Sequence, residues 1–479
     1  MISPLQSSAN QRPRRRRVDR PSTSESQTSG LTKGFLPISA FRRLDPTAVG
    51  VVDLDVSVVP RSPDGGRAGN GERDCLLLVR LHGEPLAVVH VGCDLASAGE
   101  DELAIALWHQ TGAEIRRHVA RFRCAATPAD SGALVGGLRS PTSGCPGGRT
   151  VDGGASVAVI LCTVGREERL ARCVRSLLAQ RGPDVELVVV DNRPESGEVL
   201  RTLAAIGLDD PRVRYVPEHR VGLSVARNRG VSETAADLVA FTDDDVIADP
   251  SWLRWLVAPF ADPSVTATSG MVLPLELRTK AQKRFEQFGG FFKGVERRSY
   301  DLQTGRAQQR LLYPFLGDVF GSGNSMAFRR ADLIAAGGFD PALGTGSPAG
   351  GGEDMYALST AILRGGRIVY EPRALCWHEH RCDDEALRRQ VFSYGTGFTA
   401  TMTKALADTP RFYLAVARAV PHALALARRR RAEVGGAAEA FPQELTREHR
   451  RGLVRGPLRY AEGVMRARRL HLGDVIRGN

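Results

Sequence analysis

At 479 residues the chain is long enough for two or three domains with a sizeable core, and it carries a net charge of +11. Residues 1–30 hold six Arg against two acids, and residues 411–479 hold fifteen Arg and no Lys against six acids. Taking those +4 and +9 from the total of +11 leaves −2 for residues 31–410, so the body is not basic and nucleic acid is set aside as its partner. Eight Cys, at 75, 93, 124, 145, 162, 173, 376 and 382, show no paired framework, and no secretory apolar segment lies near the N-terminus. Both features suit a reduced, cytoplasmic setting. No run of eighteen apolar residues is present to span a membrane.

In chain order, residues 1–30 are polar, basic and Pro-containing and read as a disordered arm. Residues 31–124 read as a small accessory α/β domain. Its 49–59 stretch alternates like a strand, and 75–91 looks like two strands joined at His82-Gly83-Glu84-Pro85. Leu103, Leu107, Ile115, Val119 and Phe122 give 100–122 a helical spacing. Residues 125–155, rich in Gly, Pro, Ser and Thr, are a linker.

From 156 to 400 strand and helix patterns alternate. SVAVILCT (156–163), VELVVVDN (185–192) and VRYVPE (213–218) read as strands, with helices at 166–180 and 221–235. This is the rhythm of a doubly wound, mostly parallel sheet, in which ligands sit beyond the carboxyl ends of the strands. Those ends read Cys162-Thr163, Asp191-Asn192 and, after the apolar run Leu238–Phe241, Asp243-Asp244-Asp245. Three adjacent carboxylates raise one another's pKa and call for a cation, for which hard oxygen ligands favour Mg²⁺ or Mn²⁺ carrying a diphosphate. Asp243 and Asp245 face the same way on an extended segment and can share one ion; a solvated acidic turn is the bland alternative. The first turn, TVGREER, has no phosphate-cradling glycine pattern, which argues against a dinucleotide oxidoreductase or a P-loop enzyme.

After Gly270 the pattern loosens. The 277–298 stretch mixes aromatic and basic residues, as a substrate wall or an amphipathic helix would. A glycine-rich segment runs into Glu353-Asp354 at the start of a helix, where the helix dipole alone would favour acids. GRIVYEP and ALCWHEH read as two further strands that bring Trp377 and His378 to the sheet end. Cys376, His378, His380 and Cys382 invite a zinc reading, but extended backbone would put the outer pair about 20 Å apart, too far for one tetrahedral ion.

VILCTVGREERLARCVRSLLAQ, ELVVVDN, GLSVARNRG, LVAFTDDDV, GSGNSMAFRR and GGGED occur in that order. Together they resemble the family-2 glycosyltransferases of GT-A fold, over about residues 156–400, and the N-terminal addition is similar to that of two-domain actinobacterial members. The resemblance implies a Rossmann-like sheet flanked by helices, with Thr163, Asp191, Arg227, Asp243 and Asp244 around the nucleotide. Asn228 would lie beside that pocket. It also implies Asp243, Asp245 and His378 on a Mg²⁺ or Mn²⁺ ion, and Glu353-Asp354 as the catalytic pair with Asp354 the base. Val164-Gly165-Arg166 departs from the Asn-Arg with which the family's first turn more often ends.

The implied reaction is metal-dependent, inverting transfer of a sugar from a nucleotide diphosphate donor to a hydroxyl of a glycan, lipid-linked or small-molecule acceptor. A carboxylate opposite the leaving group takes the hydroxyl proton, while positive charge offsets the departing diphosphate. Two rivals are a noncatalytic scaffold of the same fold, which has no use for a base at 354, and a sugar-phosphate nucleotidyltransferase, which should open with a Gly- and basic-rich loop. Residues 401–479 read as a helical basic extension. Its 411–431 segment suits peripheral contact with an anionic membrane face, or else a terminal helix on the body with a solvated basic end.

Overall fold

The computed structural model describes residues 47–54, 61–63, 74–92, 98–122, 130–135, 154–206, 209–307, 312–315, 319–409 and 443–472. The basic arm, most of the linker and the 411–431 segment lie outside these residues.

The small N-terminal unit is a three-stranded sheet, β1 (Thr47–Asp53), β2 (Asp74–Leu81) and β3 (Glu84–Val91), with one long helix, α1 (Glu100–Phe122). β1 and β2 are parallel, whereas β2 and β3 form a hairpin. Its two turn residues, His82 and Gly83, both have positive φ, as a tight primed turn requires. α1 opens on three acids, favoured by the helix dipole, and buries Leu103, Leu107, Ile115 and Val119 as its spacing predicts. The 49–59 strand ends earlier than its alternation suggests, at Asp53, and residues 55–60 are not described.

The main sheet has nine strands, ordered β10-β12-β9-β11-β7-β4-β5-β6, with β8 paired to β12. Its first half is built from β4 (Val157–Thr163), β5 (Val185–Asp191), β6 (Val213–Pro217) and β7 (Leu238–Asp243), all parallel. Alternate residues of these strands feed two cores. Val157, Val159 and Leu161 pack with Leu170, Val174 and Leu177 of α2 (Glu167–Leu178) and with Val199 and Leu203 of α3 (Glu198–Ala205). Ile160 and Cys162 pack on the opposite face with Ala226 and Val231 of α4 (Leu223–Ser232). A strand with helices on both faces must be apolar throughout, which is why these runs do not alternate in polarity.

The second half departs from the expected parallel order. It comprises β8 (Val246–Ala248), β9 (Val265–Pro274), β10 (Arg298–Tyr300), β11 (Met326–Arg329) and β12 (Arg367–His378). β9 and β12 are parallel, but β11 runs antiparallel between β7 and β9, and β8 and β10 run antiparallel to β12. β11 enters the sheet from the acid-bearing end of β7, with Met326 opposite Phe241, so the Gly321–Asn324 loop preceding it lies beside the aspartates. GRIVYEP and ALCWHEH form one strand rather than two, broken in register between Glu371 and Leu375. Because β8 follows the aspartates directly, its pairing of Val246 with His378 sets that histidine next to Asp245.

Further helices that matter here are α5 (Trp252–Val257), α6 (Lys280–Phe288), α7 (Arg330–Ala335), α8 (Glu353–Leu363), α9 (Asp384–Asp408) and α10 (Gln443–Arg469). α9 runs unbroken through residue 400, where the sequence pattern suggested a boundary, and α10 lies against it. Gly452 makes that contact close: a Cβ there would collide with the Phe392 carbonyl oxygen. The small unit is tied to the main sheet through Arg80, which donates to Asp53 at 2.6 Å and to Asp249, just beyond β8, at 2.8 Å.

Candidate active site

The strand-end acids and the Glu353-Asp354 pair meet in one cleft, and the Gly321–Asn324 loop joins them. The Gly323 N–H donates to Asp354 Oδ2 at 2.7 Å, and the Gly323 carbonyl accepts from Arg227 Nη2 at 3.2 Å. A Cβ on Gly323 would lie 2.9 Å from that guanidinium and 3.0 Å from the Asp354 carboxylate, so the close approach depends on glycine. Met355 N–H donates to the other Asp354 oxygen at 2.7 Å. Asp354 is therefore aimed by backbone donors from two segments, while remaining half-buried rather than sealed.

Arg227 is 1 % exposed. It reaches Glu353 Oε1 at 2.9 Å and Asp243 Oδ1 at 3.3 Å, between the rings of Phe241 and Phe339. These contacts bear on two expectations, Arg227 beside the nucleotide and Glu353 in the catalytic pair. Arg227 is spent inside the protein as a bridge between the two acidic motifs, because a buried guanidinium must be fully paired. Glu353 is buried against it and holds Arg227, whereas Asp354 is half-buried. Burial and the neighbouring Asp354 push the Glu353 carboxyl up to about 7 against the opposing pull of Arg227. Asn228 exchanges two hydrogen bonds with the Phe339 backbone, a structural role.

The three aspartates diverge. Asp243 turns to Arg227; enclosure in the cleft raises its pKa to about 6, with Arg227 opposing and Asp245 and Asp244 reinforcing. Asp244 accepts from Thr163 Oγ1 at 2.7 Å and from Arg166 at 3.1 Å, and burial still leaves its carboxyl above the usual range. Asp245 Oδ1 lies 3.4 Å from His378 Nε2, and its Oδ2 lies 3.5 Å from Arg166 and 3.6 Å from Arg381. The Asp245 carbonyl also accepts the Glu379 N–H at 2.8 Å, which pins the two motifs together.

Of the expected metal ligands Asp243, Asp245 and His378, the first is paired with Arg227 and the other two face each other. Among the described residues no three His, Cys, Asp or Glu side chains come close enough to hold an ion. Asp245 and His378 do fit one as a pair. Burial, with His380 and Arg381 nearby, keeps the His378 imidazole neutral, and Mg²⁺ or Mn²⁺ commonly takes only one or two carboxylates with water and substrate phosphate completing the shell. The four-residue zinc reading fails: Cys376 Sγ turns to the Asn324 carbonyl and Cys382 Sγ to the His380 carbonyl.

Thr163 sits at the end of β4 with its hydroxyl given to Asp244 while it accepts from the Gly165 N–H. Asp191 is fully buried, its oxygens accepting from Arg193 N–H and Tyr215 O–H, each at 2.9 Å. Both side chains are thus buried and already partnered at the strand ends. A cavity of about 560 Å³ bordered by Glu168, Arg172, Arg175 and Glu379 lies outside this cluster of acids.

Sequence reasoning missed Arg381, Glu286 and the part played by His380. Glu286 could have been suspected, because Gln282 and Glu286 recur four apart on the face of α6 that also carries Ala281 and Phe285.

Residues 158–334 match the family model described as Glycosyl transferase family 2. The chain is 26 % identical over 232 residues to a glucosyl-dolichyl phosphate glucuronosyltransferase of Haloferax volcanii, covering 47 % of this chain and 69 % of that one. It is 29 % identical over 163 residues to a pre-mycofactocin glycosyltransferase of Mycobacterium tuberculosis, covering 34 % of this chain but only 31 % of the relative's length. Among solved structures it is similar to the mannosyltransferase PcManGT of Pyrobaculum calidifontis in complex with GDP-Man and Mn²⁺, at 17 % identity and a TM-score of 0.42, covering 63 % of this chain and 87 % of that one.

Proposed function

We propose, from the premise that this chain belongs to glycosyltransferase family 2, that it is a metal-dependent, inverting enzyme. It moves a sugar from a nucleotide diphosphate donor to a hydroxyl of a glycan, lipid-linked or small-molecule acceptor. One observation carries the reading. Five carboxylates (Asp243, Asp244, Asp245, Glu353 and Asp354) share the cleft with three guanidiniums (Arg166, Arg227 and Arg381). The acids outnumber these arginines, and a divalent cation would offset the surplus negative charge.

In this reading Asp354 takes the acceptor's hydroxyl proton on a carboxylate oxygen as that hydroxyl attacks the anomeric carbon. The nucleoside diphosphate departs from the opposite face, which inverts the configuration. Arg227 keeps Glu353 and Asp243 in place and leaves Asp354 the free base of the pair. Arg166 and Arg381, each about a third exposed, can exchange their long contacts to Asp244 and Asp245 for the donor's phosphates. Thr163 and Asp191 border the nucleotide at the strand ends. Asp245 and His378 would hold Mg²⁺ or Mn²⁺, which supplies positive charge against the leaving diphosphate.

The C-terminal helix extends the reading to a membrane surface. No helix among the described residues is long and apolar enough to cross a membrane. α10 nevertheless exposes Val454 (82 %), Leu458 (64 %) and Met465 (63 %), the three most exposed large apolar side chains among the described residues. They share one face with Ala461, and exposed Arg447, Arg450, Arg451, Arg468 and Arg469 flank the stripe. An apolar stripe between arginines suits the interface of an anionic bilayer, where a lipid-linked acceptor would be presented.

The test is release of free sugar or nucleoside diphosphate from UDP-, GDP- and dTDP-sugars with Mn²⁺, repeated after chelation. Turnover of one nucleotide class, lost with chelator and restored by Mn²⁺, is expected. Binding without turnover of any donor would favour a noncatalytic scaffold.

A further inference from the structure

Behind His378 stands a second histidine that the reaction above does not use. His378 Nδ1 lies 2.9 Å from His380 Nδ1, and His380 Nε2 lies 2.6 Å from Glu286 Oε1 on α6. On its other side His378 Nε2 faces Asp245 Oδ1 at 3.4 Å. The chain Glu286–His380–His378–Asp245 thus runs from a surface helix through the end of β12 to the loop after β7. All four side chains are buried. Phe285 packs edge-on against His380, and Phe291 against His378, walling the imidazoles with apolar surface.

The partners limit the proton positions. A carboxylate only accepts, so the proton between Glu286 and His380 sits on His380 Nε2. One further proton lies between the two Nδ1 atoms. On a doubly protonated His380 it would leave His378 Nε2–H as a donor to Asp245; on His378 it leaves Nε2 as a lone pair directed at the Asp245 carboxylate. Two acceptors at that separation repel each other unless they share a cation. We propose that Glu286 and His380 are positioning residues that fix His378 in its Nδ1–H tautomer and so deliver the Nε2 lone pair to a divalent cation shared with Asp245. This rests on the reading that Asp245 and His378 hold the metal. It adds the pair of side chains that make His378 a ligand rather than a donor to Asp245.

Two measurements on the full chain test it. In ¹⁵N-histidine-labelled wild-type protein, with His378 assigned through His378→Gln, imidazole ¹H–¹⁵N correlation spectra at neutral pH should show Nδ1 protonated and Nε2 not. A proton on Nε2, alone or with one on Nδ1, overturns the proposal. The second is titration with Mn²⁺ alone, followed by electron paramagnetic resonance of the free ion. His380→Phe and Glu286→Ala should weaken binding by about 10- to 100-fold, the range for loss of an outer-shell partner. Glu286→Gln, whose amide oxygen still accepts from His380, should recover most of that loss. Wild-type affinity in a folded His380→Phe protein overturns the relay and leaves the metal pair standing. Failure of the wild type to bind Mn²⁺ in a manner that Asp245→Asn abolishes overturns both.

Discussion

Asp53 in the small unit and Asp243 at the end of β7 are both aspartates at the ends of buried strands, and both face an arginine. Their carboxyls shift in opposite directions. Burial pushes Asp53 up, but Arg80 and Arg61 together more than offset it and hold the carboxyl below its ordinary value. Burial also pushes Asp243 up, and there Arg227 loses, because Asp245, Asp244 and Asp354 add to the burial effect. The first site is closed electrostatically: two guanidiniums, Arg61 and Arg80, answer two carboxylates, Asp53 and Asp249. The second is left with surplus negative charge, and a place in a fold that keeps such a surplus is arranged for something it binds. The same contrast runs through the histidines. Burial, with His82 and Arg121 nearby, lowers His118 to about 4, and Glu84 lies 3.5 Å from its ring. His378 is also held neutral with a carboxylate at 3.4 Å, but that carboxylate, Asp245, belongs to the cluster of acids at the sheet end.

The sharpest way to break the contrast is to remove the base. Asp354→Asn should bind nucleotide as the wild type does and lose about 10²- to 10⁴-fold in turnover, read by donor consumption in the presence of acceptor. Undiminished turnover would return Asp354 to the role of a helix-start acid. Arg227→Met comes next, because it strips the cation from between Glu353 and Asp243. Breaking a buried pair in this way costs about 3–5 kcal/mol, measurable by chemical denaturation. Adding Glu353→Met should restore much of the stability while activity stays low, which separates the bridge's structural share from its alignment of the acids.

How much of this was legible beforehand depended on whether the signal was local. The parallel half of the sheet could be read strand by strand, since β4, β5 and β7 are buried on both faces and their apolar runs end at Thr163, Asp191 and Asp243. α1 could be read from its spacing. The antiparallel insertion of β11 could not, because a four-residue strand carries too little periodicity to reveal its direction. The joining of GRIVYEP and ALCWHEH hid behind Pro372, which looks like a break and is instead where the strand slips register. In the site, residue types were legible and pairings were not. DDD and ED stand out along the chain, but that Arg227 would bridge Asp243 and Glu353 depends on a contact across 126 residues of sequence.

Asp53 provides the control in solution. Its carboxyl titrates lower in the folded protein than in the unfolded chain, so the folded state binds fewer protons. The stabilisation is fully present above the unfolded value of about 3.9 and is lost as pH falls through the lower folded value. Asp53→Asn should therefore destabilise the protein at neutral pH by about 2 kcal/mol, the scale of a charge-assisted hydrogen bond. It should also flatten the fall in stability below about pH 4. An unchanged acid limb in the variant would mean that the Arg80 network does not persist in solution.

The smallest effect is expected farthest from the cleft. Val454, Leu458 and Met465 are exposed and contribute little to the fold, so replacing all three with Gln should leave thermal stability and turnover of a soluble donor nearly unchanged, within about 0.5 kcal/mol per site. What should change is flotation with vesicles. The wild type should float with vesicles containing phosphatidylglycerol and not with neutral phosphatidylcholine, and its binding should weaken as salt screens the arginines. The triple variant should stay in the soluble fraction with both. Binding that survives the triple variant but not the replacement of Arg468 and Arg469 would make the contact purely electrostatic. Self-association of the wild type without vesicles would assign the stripe to a second copy of the chain instead.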